Sequence, residues 1–427
     1  MKFGGRVVTD VTVLTARCDA ELRSGHRTSQ TEFGIGAMTM GVAWAWPHPM
    51  LLDSVKLNVV LRLAEEVAKE LNRLRPQGHP LEICEVMVHV RKACAHNVAN
   101  EFGLNEPIPD LAALLATSPI EAALFDAQGK AVGRSSYDLL GPDHVTHDLA
   151  QYLGPSYAKH YLSQYVSVVP VASLPVYHLV GALDPLGCDD VLQPVGDGLP
   201  ETLQEWIKRD ALSHLKIKLA GDDFDWDLDR VLKIHATAIS TRPGGEWSYS
   251  LDFNERCESA EYVLELIQAI ELNSRAAVNN IRYVEQPTHR DLTRFPANRM
   301  HEVAKRIPVV IDESLTDLNS LRMAVELGYS GVALKACKGH SEALLMAAVA
   351  QRDGLYLCVQ DLTCVGASLL HSVSLAAHIP GIQAIESNGR QYCPAGNEGW
   401  QDRFPDMFQV KQGTMPTGEL SGPGLGY

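Results

Sequence analysis

The sequence predicts an α/β protein in which a parallel barrel of eight strands follows a smaller α+β domain. From about residue 165 onward, eight short apolar runs alternate with amphipathic stretches. Such alternation is typical of a parallel sheet, and eight strands can close into a barrel. A chain of 427 residues is too long for one ordinary core and suits either two domains or one large α/β barrel with an accessory domain.

The composition indicates a folded protein with little affinity for polyanions. The chain is 46% hydrophobic and 21% charged, and its formal net charge is -15. Nucleic acid is excluded as a partner, because counterion release needs clustered Lys and Arg. The nine cysteines show no paired spacing, so we expect reduced and mostly buried thiols. No run approaches the roughly 18 apolar residues of a membrane helix, so we expect no membrane contact and a cytoplasmic location.

The N-terminal part predicts strands followed by helices. "RVVTDVTVLTAR" is β-branched and alternating, "FGIGAMTMGVAWAW" could return beside it, and "LNVVLRLAEEVAKELNRL" has helical periodicity. Residues 18–32 are polar and long for a hairpin, which predicts a loop that is either plain surface or a mobile lid. "GIGAMTMG" lacks phosphate-binding spacing and predicts a turn in the N-terminal sheet.

Domain boundaries follow from where the alternation begins and ends. We predict an α+β domain over residues 1–145, a barrel over 146–394 and a C-terminal segment over 395–427. The barrel strands are expected in "VSVVPVASLPVYHLVGAL", "HLKIKLA", "WSYSLDFNE", "IRYVEQP", "PVVIDES", "GVALKACKG", "LYLCVQD" and "GIQAIES". The turn-rich tail "PTGELSGPGLGY" is expected to pack back on the N-terminal domain.

Charged residues recur once per strand–helix unit, where each run after the first ends. Successive positions lie 23 to 34 residues apart, close to the roughly 30 residues of one such unit. In a barrel they would form a ring at the C-terminal ends of the strands, where active sites of this architecture are built. The ring comprises Lys218, Asp252, Glu285, Asp312, Lys335, Asp361 and Glu386.

Three carboxylates of this ring come from consecutive strands. Asp252, Glu285 and Asp312 would repel one another if they met without a cation. They are hard oxygen ligands, and Mg²⁺ prefers near-octahedral oxygen coordination with positions left for water or substrate. The sequence therefore predicts a divalent metal site, for Mg²⁺ or, as the alternative, Mn²⁺.

Lysines flank these carboxylates on both sides of the predicted barrel. Lys216 and Lys218 are two residues apart on strand two and point to the same side, whereas Lys335 lies on strand six, diametrically opposite. We expect the two lysines of strand two to lower each other's pKa toward neutrality, as a general base requires. With a metal to stabilise an enolate, the pattern predicts proton abstraction α to a carboxylate.

Each motif also has a plain structural interpretation. A Lys-x-Lys pair is most often a solvated strand edge, and "EQP" or "DES" can be a turn or helix cap. The order base, acid, acid, acid, base at unit spacing argues against these alternatives. His371 and His378 lie in a helical stretch, and we expect them to serve packing.

The motifs, taken together, resemble those of the enolase superfamily, specifically the mandelate racemase and muconate lactonizing enzyme group. The matching stretches are "KIK" (216–218), "DFN" (252–254), "EQP" (285–287), "DES" (312–314), "LK" (334–335), "SPIEAALFDAQGKAVGRSSYDLLG" (118–141) and "GPGLG" (422–426). A strand-six lysine without a His-x-Asp dyad is similar to the muconate lactonizing branch. That branch includes cycloisomerases, o-succinylbenzoate synthases and dipeptide epimerases.

The resemblance implies a modified (β/α)8 TIM barrel with an N-terminal α+β capping domain. It implies Mg²⁺ on the three carboxylates, with Lys218 as base on one face and Lys335 as acid, base or cation-stabilising group on the other. Lys216 would neutralise the substrate carboxylate. Asn254, Asp361 and Glu386 are assigned to substrate binding, although Asp361 could instead support Lys335 through a hydrogen bond.

We expect a racemase or epimerase whose substrate is a small carboxylate. We also expect the enzyme to form a homo-oligomer. A cycloisomerase or a β-elimination lyase like o-succinylbenzoate synthase could use the same enolate and the same residues. Dipeptides are disfavoured, because "IESNGRQYC" (385–393) lacks the Asp-x-Asp that holds a dipeptide amino group. A catalytically silent binding homologue is the alternative that is not an enzyme, but it would be expected to have lost part of the ring.

Overall fold

The eight barrel strands form in the order that the sequence predicts. The computed structural model describes residues 2–3, 6–7, 10–24, 27–293 and 299–427. The strands are Lys2–Phe3 (β1), Arg6–Val7 (β2), Val13–Ser24 (β3), Arg27–Thr39 (β4), Ser173–Val180 (β5), His214–Lys218 (β6), Ser248–Asp252 (β7), Ile281–Glu285 (β8), Val309–Ile311 (β9), Gly331–Leu334 (β10), Tyr356–Val359 (β11), Ile385–Glu386 (β12) and Thr414–Pro416 (β13). Strands β5 to β12 pair in parallel in sequence order, and β12 pairs with β5 to close the barrel.

Helices connect the barrel strands and fill the N-terminal domain. They are Val42–Ala45 (α1), Asp53–Leu74 (α2), Pro80–Glu101 (α3), Asp110–Val132 (α4), Ala150–Leu153 (α5), Leu203–Asp210 (α6), Phe224–Thr241 (α7), Ala260–Asn273 (α8), Arg275–Asn279 (α9), His301–Ala304 (α10), Leu318–Glu326 (α11), His340–Asp353 (α12), Ala367–His378 (α13), Gly389–Tyr392 (α14) and Trp400–Arg403 (α15). We call the elements from β3 to α4 the capping domain.

Apolar side chains fill the barrel interior beneath the strand ends. Tyr177 of β5 packs edge-on against Tyr283 of β8, with 5.9 Å between the ring centroids. Because β5 and β8 are not neighbours, this contact crosses the barrel. Val310, Ala333 and Cys358 belong to the same buried cluster. The polar residues at the C-terminal strand ends therefore lie above a packed floor, which keeps water from entering the barrel from below.

The prediction of a loop over residues 18–32 is wrong, because β3 and β4 pair along their whole length. Their antiparallel register runs from Val13 opposite Thr39 to Ser24 opposite Arg27. From Val13 to Glu21, exposed residues alternate with half-buried ones, as in a strand with one open face. Charged residues on that open face made the segment look like a loop. The tip residues Gly25 and His26 lie outside the described residues.

The turn predicted at "GIGAMTMG" is also wrong, because Gly34 and Gly36 lie inside β4, and Gly41 follows the strand as the N-cap of α1. A Cβ atom on Gly36 would come within 1.9 Å of the Pro119 carbonyl oxygen, and one on Gly34 within 2.1 Å of the Ala127 nitrogen. Both clashing atoms belong to the backbone of α4. The glycines therefore let the β4 backbone lie directly on this helix, as close approach requires.

The C-terminal tail returns to the capping domain, as predicted. The Leu425 nitrogen donates to Asp126 Oδ1 at 3.0 Å, and the Gly424 nitrogen donates to the Arg134 carbonyl at the same distance. The tail also contains a strand that the sequence did not indicate, since β13 pairs antiparallel with β5. The domain boundaries at residues 145 and 394 stay predictions.

The cysteines and the helices agree with the composition. All nine cysteines are free thiols, and six of them are buried. Within the described ranges, no helix combines the length and the apolar character needed to cross a membrane. His371 and His378 are fully buried in α13, which confirms that they serve packing.

Candidate active site

Parallel register brings the predicted ring residues to one end of the barrel. Lys218, Asp252 and Glu285 are the last residues of β6, β7 and β8, and each is paired with the next across the sheet. The remaining ring residues lie at or just beyond the ends of the next strands, namely Asp312, Lys335, Asp361 and Glu386. All seven are buried. The barrel therefore gathers the whole predicted ring at its C-terminal end.

Lys216 lies at the centre of the carboxylates. Its side chain is only 2% exposed, and its Nζ lies 3.1 Å from Asp252 Oδ2, 2.8 Å from Glu285 Oε2 and 3.0 Å from Glu386 Oε2. One ammonium group thus joins acids from β7, β8 and β12. A solvated strand edge, the plain interpretation of the Lys-x-Lys pair, does not describe this residue.

Lys218 pairs with Asp252 and Asn254 at the mouth of the barrel. Its Nζ forms a short ion pair with Asp252 Oδ2 and donates to Asn254 Oδ1 at 3.0 Å. Asn254 has a left-handed backbone with φ of 45°, a conformation that asparagine tolerates better than most residues. Its own nitrogen donates to Asp252 Oδ1 at 2.9 Å. This turn after β7 therefore orients Lys218, Asp252 and Asn254 as a group.

Lys335 lies between the barrel and the capping domain. Its Nζ is 2.8 Å from Asp312 Oδ2 and 4.4 Å from the ring centre of Trp44, which belongs to α1. A cation over an indole face is stabilised by the ring quadrupole. Trp44 Nε1 also donates to Glu313 Oε1 at 3.0 Å. The sequence did not indicate Trp44 or Glu313, although "DES" contains the latter.

Lys338 is a further buried lysine that the sequence analysis missed. Its Nζ donates to the Asp312 carbonyl oxygen at 2.6 Å and lies 3.1 Å from Asp312 Oδ1. It follows Lys335 by three residues, and the 3-10 turn 336–338 brings both side chains to the same carboxylate. The spacing in "KACK" was the available signal, because side chains three residues apart lie on the same side of a 3-10 turn.

Asp361 and Glu386 complete the far side of the ring. Asp361 accepts hydrogen bonds from the backbone nitrogens of Thr363, at 3.2 Å, and Asn388, at 3.1 Å. Within the described part of the chain, no hydrogen bond joins Asp361 to Lys335. Glu386 accepts from Lys216 and, at 3.1 Å, from Asn388 Nδ2. Gln360, also missed, donates to Glu285 through a short hydrogen bond.

The carboxylates differ in how strongly they hold their charge. Burial alone would raise the pKa of Asp252, but Lys218 and Lys216 lower it to about 2. Burial and the charge of Asp252 raise the pKa of Glu285 well above its usual value. Burial together with Asp312 raises the pKa of Glu313 to about 8. The site therefore contains more acidic groups than its ammonium groups can keep ionised.

The expectation that the paired lysines lower each other's pKa is contradicted at Lys216. Burial favours the neutral amine, but Glu285, Glu386 and Asp252 outweigh it and raise the pKa of Lys216 well above its usual value. Lys335 behaves in the same way, because Asp312 outweighs burial and raises its pKa. The sequence showed that two lysines share a side, but not that acids from three other strands surround them.

The donor set fits a divalent cation by type, burial and register. Asp252, Glu285 and Asp312 are buried carboxylates at adjacent strand ends, and Asp312 Oδ2 lacks a hydrogen-bond partner although Lys335 lies near it. The pocket holds more buried acids than lysines, so a cation would balance the excess. Across the described residues, no three His, Cys, Asp or Glu side chains are arranged to hold a metal. Two of the three carboxylates, Asp252 and Glu285, are instead paired with Lys216.

Comparison with known proteins shows a family for this sequence and relatives for its fold. A family model described as enolase C-terminal domain-like matches residues 198–427. An N-succinylamino acid racemase from Thermus thermophilus is 26% identical over 195 residues, which are 44% of this chain and 51% of that protein. The chain thus aligns with about half the length of this curated relative.

Solved structures share the fold over nearly the whole chain. The L-Ala-D/L-Glu epimerase from Bacillus subtilis is 18% identical, with a TM-score of 0.58 over 98% of both chains. A mandelate racemase/muconate lactonizing enzyme from Bordetella bronchiseptica is 16% identical, with a TM-score of 0.61 over 98% of this chain and 96% of the other. Because the family model covers more than half of the sequence, the chain belongs to the enolase C-terminal domain-like family of the enolase superfamily.

Proposed function

We propose that this protein is a divalent-metal-dependent isomerase that removes the proton α to a carboxylate and returns a proton to the opposite face. The observation that carries the proposal is the placement of Lys218 and Lys335. In the barrel order, the strands that carry them are four apart, and the strands of Asp252, Glu285 and Asp312 lie between them. A substrate held over these carboxylates would have one lysine on each face.

N-succinylamino acids are the proposed substrate class. The supporting observation is the 26% identity to a protein named N-succinylamino acid racemase. In such a molecule the α-carbon carries both a carboxylate and an acylated nitrogen. The absence of an Asp-x-Asp sequence around Glu386 argues against a free amino group, as found in dipeptides.

Asp252, Glu285 and Asp312 would hold the cation, which we propose to be Mg²⁺, with Mn²⁺ as a substitute. A divalent cation supplies Lewis-acid stabilisation of the negative charge that develops on the substrate carboxylate. Lys216 faces three acids and remains an ammonium group, which suits it to neutralise the substrate carboxylate rather than to accept a proton. Asn254, Asp361 and Glu386 would contact the rest of the substrate.

Proton transfer would use the two remaining lysines in opposite roles. Only a neutral amine can accept a proton, so the lysine that acts as base must first part from its carboxylate partner and release its own proton to solvent. One lysine forms an N–H bond as the substrate C–H bond breaks. The other gives up an N–H proton as a new C–H bond forms on the opposite face. The roles exchange for the other enantiomer, and the reaction needs no oxidant or reductant.

The test is α-proton exchange in D₂O on N-succinyl-L- and N-succinyl-D-amino acids, with Mg²⁺ and with a chelator. Lys218→Ala and Lys335→Ala should each suppress exchange, roughly 10²- to 10⁴-fold, for one enantiomer more than for the other. Lys233→Ala, on the surface of α7, is the matched control and should behave as wild type. Exchange that survives both substitutions, or that ignores chelation, would contradict the proposal.

The same assay separates the alternatives. A cycloisomerase or a β-elimination lyase would form a ring or release a leaving group, and mass spectrometry of the product would reveal either. A catalytically silent binding homologue would show no α-proton exchange with any of the N-succinylamino acids tested.

A further inference from the structure

Glu121 connects the capping domain to the helix that follows Lys335. It belongs to α4 and is only 2% exposed. Its Oε2 accepts a hydrogen bond from the Ser341 nitrogen at 3.0 Å and another from Ser341 Oγ at 2.6 Å. Ser341 is the second residue of α12, so Glu121 satisfies an amide that no residue within the helix can satisfy.

The N-terminus of α12 is built to receive this carboxylate. Its N-cap residue is Gly339, which offers no side chain to cap the helix. A Cβ atom on Gly339 would lie 2.7 Å from Glu121 Oε1, so any other residue would push the carboxylate away. Gly339 also has φ of 104°, a conformation that favours glycine. The missing intrahelical cap is thus replaced by one from the other domain.

The capped helix end lies next to two lysines of the site. The 3-10 turn 336–338 links Lys335 to Gly339, and the Lys338 nitrogen donates to the Lys335 carbonyl at 3.0 Å. At one end this turn continues from β10, and at the other end it is held by the cap. The side chains of Lys335 and Lys338 both leave this short segment to reach Asp312. A shift at the cap would therefore move both ammonium groups.

We propose that Glu121 is a positioning residue, which caps α12 from the capping domain and thereby fixes the turn that carries Lys335 and Lys338. This cap then acts on the face of the site that Lys335 serves, because Lys218 is carried by β6 and is held by Asp252 and Asn254 rather than by the turn 336–338. The effect on proton transfer rests on the proposed function, whereas the effect on the turn does not.

Hydrogen exchange of backbone amides tests the effect on the turn. Glu121→Leu removes the acceptor at similar size, and Glu121→Gln retains an acceptor oxygen. In Glu121→Leu, we expect amides in residues 336–343 to exchange at least tenfold faster, with recovery in Glu121→Gln. Amides of α7 should not change. Unchanged protection of residues 336–343, or equal acceleration throughout the chain, would overturn the proposal.

Enantiomer-specific kinetics test the effect on the site. With the N-succinylamino acid pair that the wild type exchanges fastest, Glu121→Leu should slow exchange about tenfold for the enantiomer served by Lys335. Exchange of the enantiomer served by Lys218 should stay within about twofold. Ser341→Ala loses one of the two hydrogen bonds and should show a smaller effect in the same direction. This variant replaces Glu121→Leu in the test if Glu121→Leu does not fold.

A helix cap remote from the lysine turn provides the control. Thr202 caps α6 by accepting from the Glu205 nitrogen at 3.2 Å. Thr202→Ala should leave the ratio of the two exchange rates unchanged. An equal loss for both enantiomers in Glu121→Leu would contradict the positioning role. If the wild type exchanges neither enantiomer, the proposed function fails, and amide exchange alone decides whether the cap holds the turn.

Discussion

Lys338 holds Asp312 at two points, its backbone carbonyl and one carboxylate oxygen. Lys335 occupies the other oxygen, so this acid has two ammonium neighbours. Together they outweigh burial and lower the pKa of Asp312 below its usual range. Of the two lysines, only Lys338 also contacts the backbone of Asp312. Lys338 is therefore suited to fix the carboxylate, while Lys335 is free to take part in chemistry.

Lys338→Met is expected to weaken metal binding because Asp312 loses both of these contacts. Groups that orient a metal ligand typically contribute 10- to 100-fold in metal affinity or activity. We expect the Mg²⁺ concentration for half-maximal α-proton exchange to rise by about that factor. A titration of exchange rate against Mg²⁺ measures it. Lys233→Met, on the exposed face of α7, is the control, and equal half-saturation in both variants would refute the role.

The residues that the sequence predicted lie at regularly spaced strand ends, whereas what it missed depends on contacts made by the tertiary fold. Ring positions such as Asp252 and Glu285 follow from strand periodicity, which the sequence shows directly. Trp44 comes from the other domain, and its contact with Lys335 depends on how the two domains dock. The raised pKa of Lys216 likewise depends on side chains from β7, β8 and β12, whose distance from Lys216 no spacing pattern encodes.

At the scale of elements, the capping domain depends on close contact between β4 and α4. Two glycines of β4 face the backbone of this helix, and the same helix carries Glu121 toward α12. The distance between β4 and α4 therefore affects local packing and also the position of Glu121 at α12. Sequence patterns predicted a turn here because glycine is common in turns, and they could not show that a helix backbone lies where a side chain would be.

Gly36→Ala is expected to destabilise the protein by about 1–3 kcal/mol, the usual cost of overpacking. The new Cβ atom would meet the Pro119 carbonyl oxygen at 1.9 Å and the Ala123 nitrogen at 2.6 Å, so β4 and α4 must separate. Urea denaturation measures the change. Gly187→Ala is the matched control, since its Cβ atom would meet nothing closer than 3.7 Å, and equal stability of both variants would contradict the packing argument.

At the scale of the whole molecule, a group of buried histidines lies where the capping domain meets the barrel. His340 of α12 packs on Phe125 of α4 with 4.5 Å between ring centroids, and its Nδ1 is 3.0 Å from His371 Nε2. His378 stacks on Tyr137 at 3.7 Å. The sequence predicted that His371 and His378 serve packing, but their position between the two parts of the molecule depends on the tertiary fold.

Burial makes this interface sensitive to acid. It lowers the pKa of His371 and of His378 to about 4, and, together with the neighbouring His371 and His378, it lowers the pKa of His340 well below its usual value. In the unfolded chain a histidine has a pKa of about 6.5. Below that pH the unfolded chain binds protons that the folded protein does not. Stability should therefore be fully present above pH 6.5 and be lost as pH falls toward 4.

We expect the free energy of unfolding to fall by about 1 kcal/mol per buried histidine between pH 7.5 and pH 5.5, because each pH unit below 6.5 costs about 1.4 kcal/mol. Urea denaturation at several pH values measures this slope. His371→Gln removes one of these groups and should reduce the slope, whatever its effect on stability at pH 7.5. His147→Gln, at an exposed position, should keep the wild-type slope. A slope that is unchanged in His371→Gln would show that neutral His371 does not contribute to acid sensitivity.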